Sequence, residues 1–515
     1  MDTILVFDFG GQTAQLIARR IRDLGVYSLV VAGDVPLKQV ITPEVRGCIL
    51  SGSPFSVYQE QAPVPDQNIY SLDIPILGIC YGFQRMVYDL KGKVEGSQTR
   101  EFGRAPLKIH DSSDLFHGMP ESFMSWMSHG DSITQLPEGF GLLASSEHHP
   151  AAAFRRSNRL YGIQFHPEVT HCEYGTDILK NFAFRICGAE PRWNMDVYLQ
   201  QTAEELRARV GERDVLLLIS GGVDSTVTAA LLLEALEHRQ VHLLYIDTGL
   251  MRKDETKEVT GILNLLGAEH IHLVDASEEF LSALQGVSDP EEKRRIIGDL
   301  FIRVQEKEVK RLGIDSAFLA QGTLYTDMIE SGKGVGNKAT VIKSHHNVRS
   351  PLVEEKRRKG LVLEPLASLY KDEVRRLGTA LGVPAQIIHR HPFPGPGLGV
   401  RILGEVTREK CDILREADDL FIRELKRRNL YDKIWQAFCV LLPVRSVGVT
   451  GDSRGYGWVV ALRAITSMDG MTADVYPFET VDILDISARI TNTVPEIGRV
   501  VYDISSKPPA TIEWE

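Results

Sequence analysis

Short apolar runs that each give way to a helical pattern, repeated from the first residues onward, limit this chain to a layered α/β architecture. Residues 4–7 read as a buried strand and residues 12–24 as an amphipathic helix that ends at Gly25. Runs at 27–31, 47–50 and 75–79 repeat the unit, and strands alternating with helices predict a largely parallel sheet covered on both faces. The pattern pauses at 188–191. It restarts with runs at 214–219, 241–247, 270–274 and 316–320, separated by helical stretches, which predicts a second sheet. The run His-Arg-His-Pro-Phe-Pro-Gly-Pro-Gly-Leu-Gly at 389–399 suits neither a helix nor a central strand and sets another boundary. Beyond it, an amphipathic helix over 405–428 and paired strands at 445–449 and 457–463, around Gly451-Asp452-Ser453-Arg454-Gly455, predict an α+β module. The expected fold class is α/β multidomain, divided at 1–189, 190–390 and 391–515.

Length agrees, since 515 residues at about 150 per domain give roughly three domains. Hydrophobic residues at 43% and charged residues at 25% exclude collagen-like, disordered and coiled-coil classes. The net charge of −11 offers no global attraction to nucleic-acid phosphates, so any nucleotide has to be held locally. The first residues lack a basic region ahead of their apolar run, and no run approaches the ~18 apolar residues of a membrane span. The expectation is a soluble cytoplasmic protein with neither nucleic acid nor membrane as partner. Six cysteines show neither C-x-x-C nor zinc-ligand spacing and read as reduced thiols, one of them catalytic.

That one is Cys80. Ile76-Leu77-Gly78-Ile79-Cys80-Tyr81-Gly82-Phe83-Gln84 reads as a strand, a G-x-C-x-G turn and a helix start, the shape of a nucleophile elbow. Flanking glycines relieve crowding around a strained residue, and a helix N-terminus favours a thiolate. A cysteine is equally able to be a small core residue; the glycine frame favours the nucleophile. Downstream, Tyr161-Gly162-Ile163-Gln164-Phe165-His166-Pro167-Glu168 predicts a strand whose end carries His166 and Glu168 on one face. His166 would take the thiol proton, and Glu168 would fix its tautomer and stabilise the imidazolium. These patterns, in this order, resemble the class I glutamine amidotransferase domain over about residues 1–188. The resemblance implies a Cys80-His166-Glu168 triad and an oxyanion hole from Tyr81 and the Ser51-Gly52-Ser53-Pro54 loop, using Gly52 and Ser53. It also implies a glutamine site of Gln84, Ser128 and His129. Ser53 stands where that family commonly has glycine, an exchange that keeps the backbone donor. His129 by itself also reads as a hydrogen-bonded loop histidine.

A second site follows the strand at 215–219. Ser220-Gly221-Gly222-Val223-Asp224-Ser225 precedes a helix over 226–237, and backbone N–H groups of such a loop at a helix N-terminus form an anion site. A tight turn would need the glycines alone. The hydroxyls can also donate to phosphate, and Asp224 can hold a magnesium ion on it. The loop has neither a Walker A ending nor a G-x-G-x-x-G pattern. It resembles the loop of N-type ATP pyrophosphatases, adenine-nucleotide-hydrolase-like parallel α/β domains that cleave ATP between its α- and β-phosphates. The glycine-rich basic stretch at 332–348 reads either as a solvated loop or as a lid over polyphosphate. His345-His346 lacks a third ligand for zinc.

Glutaminase, pyrophosphatase loop and C-terminal α+β module in this order resemble the GMP synthase family over essentially the whole chain. The resemblance includes Asp8-Phe9-Gly10, Asp247-Thr248-Gly249-Leu250, Gln321-Gly322-Thr323-Leu324-Tyr325 and the closing Lys507-Pro508-Pro509-Ala510-Thr511-Ile512-Glu513-Trp514-Glu515. It implies GMP formation from XMP, ATP and glutamine, magnesium with the ATP, no organic prosthetic group, and a homodimer through the C-terminal module. It also implies Arg294, Lys507 and Glu513 as XMP contacts and Lys371 as a contact to the ATP phosphates. Arg349-Ser350 depart from the family's usual continuation of the lid, and Thr450 from the usual start of the 450–454 hairpin. Two alternatives stay open: another amidotransferase with the same loop, such as an NAD synthetase, and a catalytically silent nucleotide-binding regulator. The intact triad and loop weigh against the second.

Overall fold

The first predicted unit is present. Strand β1 (Thr3–Asp8) leads into a helix over Ala14–Asp23, and Gly25 at φ +81° supplies the left-handed conformation that ends it. The computed structural model describes residues 1–11, 13–147, 150–325, 327, 351–450, 453–467 and 472–515. They fall into two units, Met1–Tyr198 and a second drawn from Leu199–Tyr325 and residues 351–515.

The first unit adds β2 (Tyr27–Ala32), β3 (Val45–Leu50), β4 (Ile76–Ile79), β5 (Lys93–Ile109), β6 (Ser122–Gln135), β7 (Gly141–Ser146), β8 (Ala153–Arg156) and β9 (Leu160–Ile163). They form one sheet in the order β2-β1-β3-β4-β9-β8-β7-β5-β6. From β2 to β9 the pairings are parallel. From β9 to β6 they are antiparallel, which corrects the expectation of a largely parallel sheet. The reason is local: no helix among the described residues separates β5 through β9, so no parallel crossover is possible. Along β6, buried residues alternate with more exposed ones, the mark of a sheet with one wet face.

The second unit contains β10 (Val215–Ile219), β11 (Val241–Asp247), β12 (His270–Asp275), β13 (Phe318–Ala320) and β14 (Val362–Leu363). They pair in parallel in the order β12-β11-β10-β13-β14. Chain order reverses beside β10 here and beside β1 in the first unit. In open parallel sheets, ligands bind outside the carboxyl ends of the strands at such reversals. The helix after β10, Val223–Ala235, is apolar nearly all round and almost wholly buried.

A third sheet is built from β15 (Gln436–Thr450), β16 (Ser453–Thr466), β17 (Asp474–Val475) and β18 (Ile497–Tyr502). The predicted strand at 445–449 is the C-terminal third of β15, and that at 457–463 is the middle of β16. β15 runs on past Pro443 through a register shift between Leu442 and Arg445, a place that tolerates the missing N–H. One hydrophobic cluster runs from Leu216 and Leu244 through Leu398 and Ile402 to Leu462 and Ile486. The Pro/Gly run at 389–399 is therefore a seam against the core. At Gly397, φ +62°, an added Cβ would lie 2.3 Å from the Leu250 carbonyl oxygen.

Three buried cations hold the last residues to this unit. Arg401 donates to both Glu513 oxygens at 2.9 and 3.1 Å, with the Phe438 and Phe393 rings 4.1 and 5.0 Å from its guanidinium. Lys293 pairs with Glu515, and Arg463 donates to the carbonyls of Ser505 and Thr511. Removing one partner of such a pair strands the other, so Arg401→Ala should cost about 3 kcal/mol. A lowered denaturation midpoint for the second unit checks this, and Arg401→Lys, with one donor group instead of a fork, should recover only part.

Candidate active sites

Cys80 stands between β4 and the helix Tyr81–Asp89 with φ +52° and ψ −108°, a backbone region that L-residues avoid. A Cβ at Gly78 would lie 2.7 Å from the Phe83 backbone, and one at Gly82 2.2 Å from the Leu50 carbonyl oxygen. Close backbone approach therefore sets the G-x-C-x-G spacing. The Cys80 N–H donates to Ile163 O at 2.8 Å and the Gly82 N–H to Ser51 O at 3.0 Å, which fastens the elbow to β9 and to the loop after β3. Tyr81 opens the helix, so no carbonyl of that helix takes its N–H. A Cβ at Gly52 would lie 3.3 Å from His166 Cε1 and 3.9 Å from Cys80 Cβ, so the 51–53 loop runs against both residues. Ser53 has no positive φ, and its hydroxyl donates to Phe9 O at 2.8 Å, so serine fits without strain.

His166 and Glu168 lie in the turn after β9, not on the extended strand end expected for them. The turn nevertheless brings His166 Nδ1 to 2.7 Å from Glu168 Oε1, with Glu168 fully buried. Burial opposes charge on His166, but the Glu168 carboxylate and hydrogen bonds to Cys80 and Glu168 outweigh it and hold its pKa well above the ordinary value. Arg20 Nε donates to the Glu168 carbonyl at 3.1 Å and steadies the turn.

The residues expected at the glutamine site converge on the same place. Ser128 O lies 3.6 Å from Cys80 Sγ, and His129 Nδ1 lies 3.0 Å from Asp131 O. Gln84 Nε2 donates to Asp131 O at 3.1 Å and to Gln164 Oε1 at 3.2 Å. Three residues absent from the sequence reading belong here. Gln164 Nε2 is 3.7 Å from Cys80 Sγ, and Tyr58 donates its hydroxyl to Asp131 Oδ1 at 2.9 Å. Only nearness in sequence to His166 and His129 could have pointed to Gln164 and Asp131.

In the second unit the helix begins at Val223, three residues earlier than expected, so Asp224 and Ser225 sit in its first turn. Ser220 and Ser225 hydroxyls are 3.0 Å apart, and Ser225 Oγ donates to Gly222 O at 3.2 Å, a closed loop of donors at a helix N-terminus. Gly221 takes φ +75°, with Val259 and Glu255 3.0 and 3.1 Å from where a Cβ would be. Arg390 donates to Gly221 O at 2.9 Å and pairs with Glu255 at 3.0 Å. Lys371 opens the helix Lys371–Ala380 and places Nζ 2.7 Å from both Asp224 oxygens. Gly322, after β13, packs against the Asp224 backbone, where a Cβ would meet it at 3.1 Å. The loops after β10 and β13 thus meet at the chain-order reversal.

Family models match the ranges in which the Cys80 elbow and the 220–225 loop lie. The family model "Glutamine amidotransferase class-I" matches residues 5–186, "NAD synthase" 197–299 and "GMP synthase C terminal domain" 423–514. The GMP synthase [glutamine-hydrolyzing] of Aquifex aeolicus is 52% identical over 514 residues, covering 99% of this chain and 99% of its own. That of Caldicellulosiruptor saccharolyticus is 50% identical over 100% of this chain and 99% of its own. The chain belongs to the glutamine-hydrolysing GMP synthase family. In this family of glutamine-hydrolysing ligases the NAD synthase match over 197–299 marks the ATP pyrophosphatase domain, and the 220–225 loop lies within it. The flanking matches and the full-length relatives favour GMP formation over the NAD synthetase alternative.

Of the residues that resemblance assigns to XMP, Arg294 Nη2 donates to Glu515 O at 2.6 Å, and Glu513 is held by Arg401 and, at 2.8 Å, by Gln436. Lys507 pairs through its backbone with Ala473 at 2.8 and 3.0 Å. All three therefore belong to, or touch, the same closing segment. The lid stretch at 332–348, with His345 and His346, the Arg349-Ser350 departure, and residues 451–452 of the hairpin lie outside the described residues. Among those described, no helix is long and apolar enough to cross a membrane.

Because Glu168 is the anion that keeps His166 charged, Glu168→Gln should lower the His166 pKa, leaving burial as the dominant influence. A raised folded value stabilises the fold at pH below the ordinary histidine value and loses that contribution as pH climbs through the raised one. The variant should lack this acid-side stabilisation, and a histidine NMR titration, with His166 assigned by its absence from His166→Ala, reads the shift.

Proposed function

We propose that this chain forms GMP from XMP, ATP and glutamine through two half-reactions, with residues 1–189 as glutaminase, 190–390 as ATP pyrophosphatase and 391–515 as the XMP-contacting module. The reading is carried by two complete constellations in one chain: Cys80 backed by the His166–Glu168 pair, and the 220–225 loop with Lys371 on Asp224. The Cys80 thiolate attacks the glutamine carboxamide carbon, and the electron pair displaced onto oxygen is received by N–H groups of Tyr81 and the Gly52-Ser53 loop. His166 returns its proton to the departing ammonia, and water then cleaves the thioester to glutamate. Gln84, Ser128 and His129 surround the substrate.

The 2-oxo group of XMP is a poor leaving group and needs adenylylation. Its oxygen attacks the α-phosphorus of ATP, and pyrophosphate leaves into the donors of Ser220, Gly221, Gly222, Val223 and Ser225. Ammonia attacks C2, and AMP departs with the oxygen. Lys371 supplies a cation to the phosphates once it gives up Asp224, while Arg294, Lys507 and Glu513 orient XMP. Magnesium fits the donor: Asp224 in the first turn of the helix after the 220–225 loop offers one carboxylate, and one carboxylate plus substrate phosphates is an ordinary magnesium set. Asp224 would hold the ion, which when bound neutralises phosphate charge.

The C-terminal module also carries the surface of a homodimer. Val447 and Tyr456 are cross-strand partners 48% and 70% exposed, and Val481 and Leu484, one helical turn apart, are 64% and 63% exposed. Apolar groups this exposed in neighbouring positions suit a second copy.

The decisive assay compares glutamine with ammonium salt as nitrogen source. Cys80→Ala should abolish GMP formation from glutamine and keep it from ammonium, whereas Lys371→Ala should lower both at least tenfold by removing charge at the phosphates. If Lys371→Ala lost only the glutamine-dependent rate, the second site would be misassigned. For the dimer, sedimentation of wild type against the Val447→Asp/Tyr456→Asp and Val481→Asp/Leu484→Asp doubles should show a dimer turned to monomer by at least one pair. A monomeric wild type, or two dimeric doubles, refutes it.

A further inference from the structure

We propose that Gln164 is a catalytic residue of the glutaminase, its side-chain amide donating to the Cys80 sulfur and favouring the thiolate, while Gln84 fixes the direction of that donor. The inference rests on Cys80 being the nucleophile.

The direction follows from what each partner can do. Asp131 O is a carbonyl and only accepts, so the Gln84 group 3.1 Å from it has to be the NH2. The second hydrogen of that NH2 faces Gln164 at 3.2 Å, so the Gln164 atom there has to be its oxygen. The Gln164 NH2 is thereby turned to the sulfur, 3.7 Å away. Rotating either amide by half a turn would set donor against donor or acceptor against acceptor, so the polarity runs unbroken from a main-chain carbonyl to Sγ. Gln84 and Gln164 are 3% and 2% exposed, and a hydrogen bond shielded from water is stronger than one in it.

The sulfur has a competing neighbour. Ser128 O, 3.6 Å away, accepts from the S–H and favours the thiol, whereas Gln164 and His166 favour the charged form. The other titratable groups around the sulfur are Glu168, behind His166, and, on β6, His129 and Asp131, whose carboxylate takes the Tyr58 hydroxyl. In acylation the sulfur lone pair forms the C–S bond. In deacylation that bond breaks, the electron pair returns to sulfur, and the Gln164 N–H receives it.

Two variants separate donor from packing. Gln164→Glu keeps an oxygen for Gln84 but turns an acceptor to the sulfur; Gln164→Met keeps volume and removes both bonds. The measurement is the pH dependence of Cys80 alkylation by iodoacetamide on the full chain, beside glutamine- and ammonium-dependent GMP formation. A lost bond to an ionised group should raise the alkylation midpoint by about one pH unit and lower glutamine-dependent kcat/KM about tenfold near neutrality. That loss should recover as pH rises, with ammonium-dependent synthesis unchanged. An unmoved midpoint in Gln164→Met, which brings no new charge to the sulfur, or a loss independent of pH, overturns the proposal. Failure of the underlying reading is seen separately, as a Cys80→Ala chain that still uses glutamine.

Discussion

Holding Cys80 at positive φ costs on the order of 1–3 kcal/mol, and the organisation of the first unit is what offsets it. The Cys80 N–H reaches β9, the Gly82 N–H reaches the end of β3, and Gly78 and Gly82 are stripped of side chains so that these approaches are possible. The same geometry lays Gly52 beside both Cys80 and His166. The strained Cys80 backbone and the 51–53 loop are thus one arrangement, and a residue with a side chain at any of the three glycines would disturb it. His166 depends on this packing as well, since the burial that opposes its charge also keeps the Glu168 carboxylate unscreened.

The second site uses the opposite economy. Among the residues of the 220–225 loop only Gly221 takes a positive φ; the glycines let main-chain amides gather, and Asp224 in the first helical turn is matched by Lys371. The pairing keeps the carboxylate and the ammonium mutually compensated. Both sites share the location that an open sheet provides, the carboxyl ends of strands beside a reversal of chain order.

Much of this was legible in the residues, for reasons that differ by element. Buried parallel strands such as β1, β3 and β10 are continuous apolar runs and were found nearly to the residue. The antiparallel strands β5 to β8 carry polar residues on the wet face, as β6 does, so no continuous apolar run announces them. The elbow and the phosphate loop are local motifs. His166 and Glu168 were paired correctly but on the wrong geometry, because Pro167 turns the chain where an extended strand was expected. Gln164 and Asp131 meet Gln84 across 80 and 47 positions, and Glu513 meets Arg401 across 112, separations at which no spacing rule operates.

Arg390 gives the seam at 389–399 a further meaning. Its guanidinium bridges the Gly221 carbonyl and Glu255, so the shape of the phosphate loop and the seating of the seam share one hydrogen bond. Two equilibria that share a contact are linked, and the linkage is reciprocal. The loop's shape and the seam's seating therefore rest on the same Arg390 guanidinium, so a change at residue 390 disturbs both.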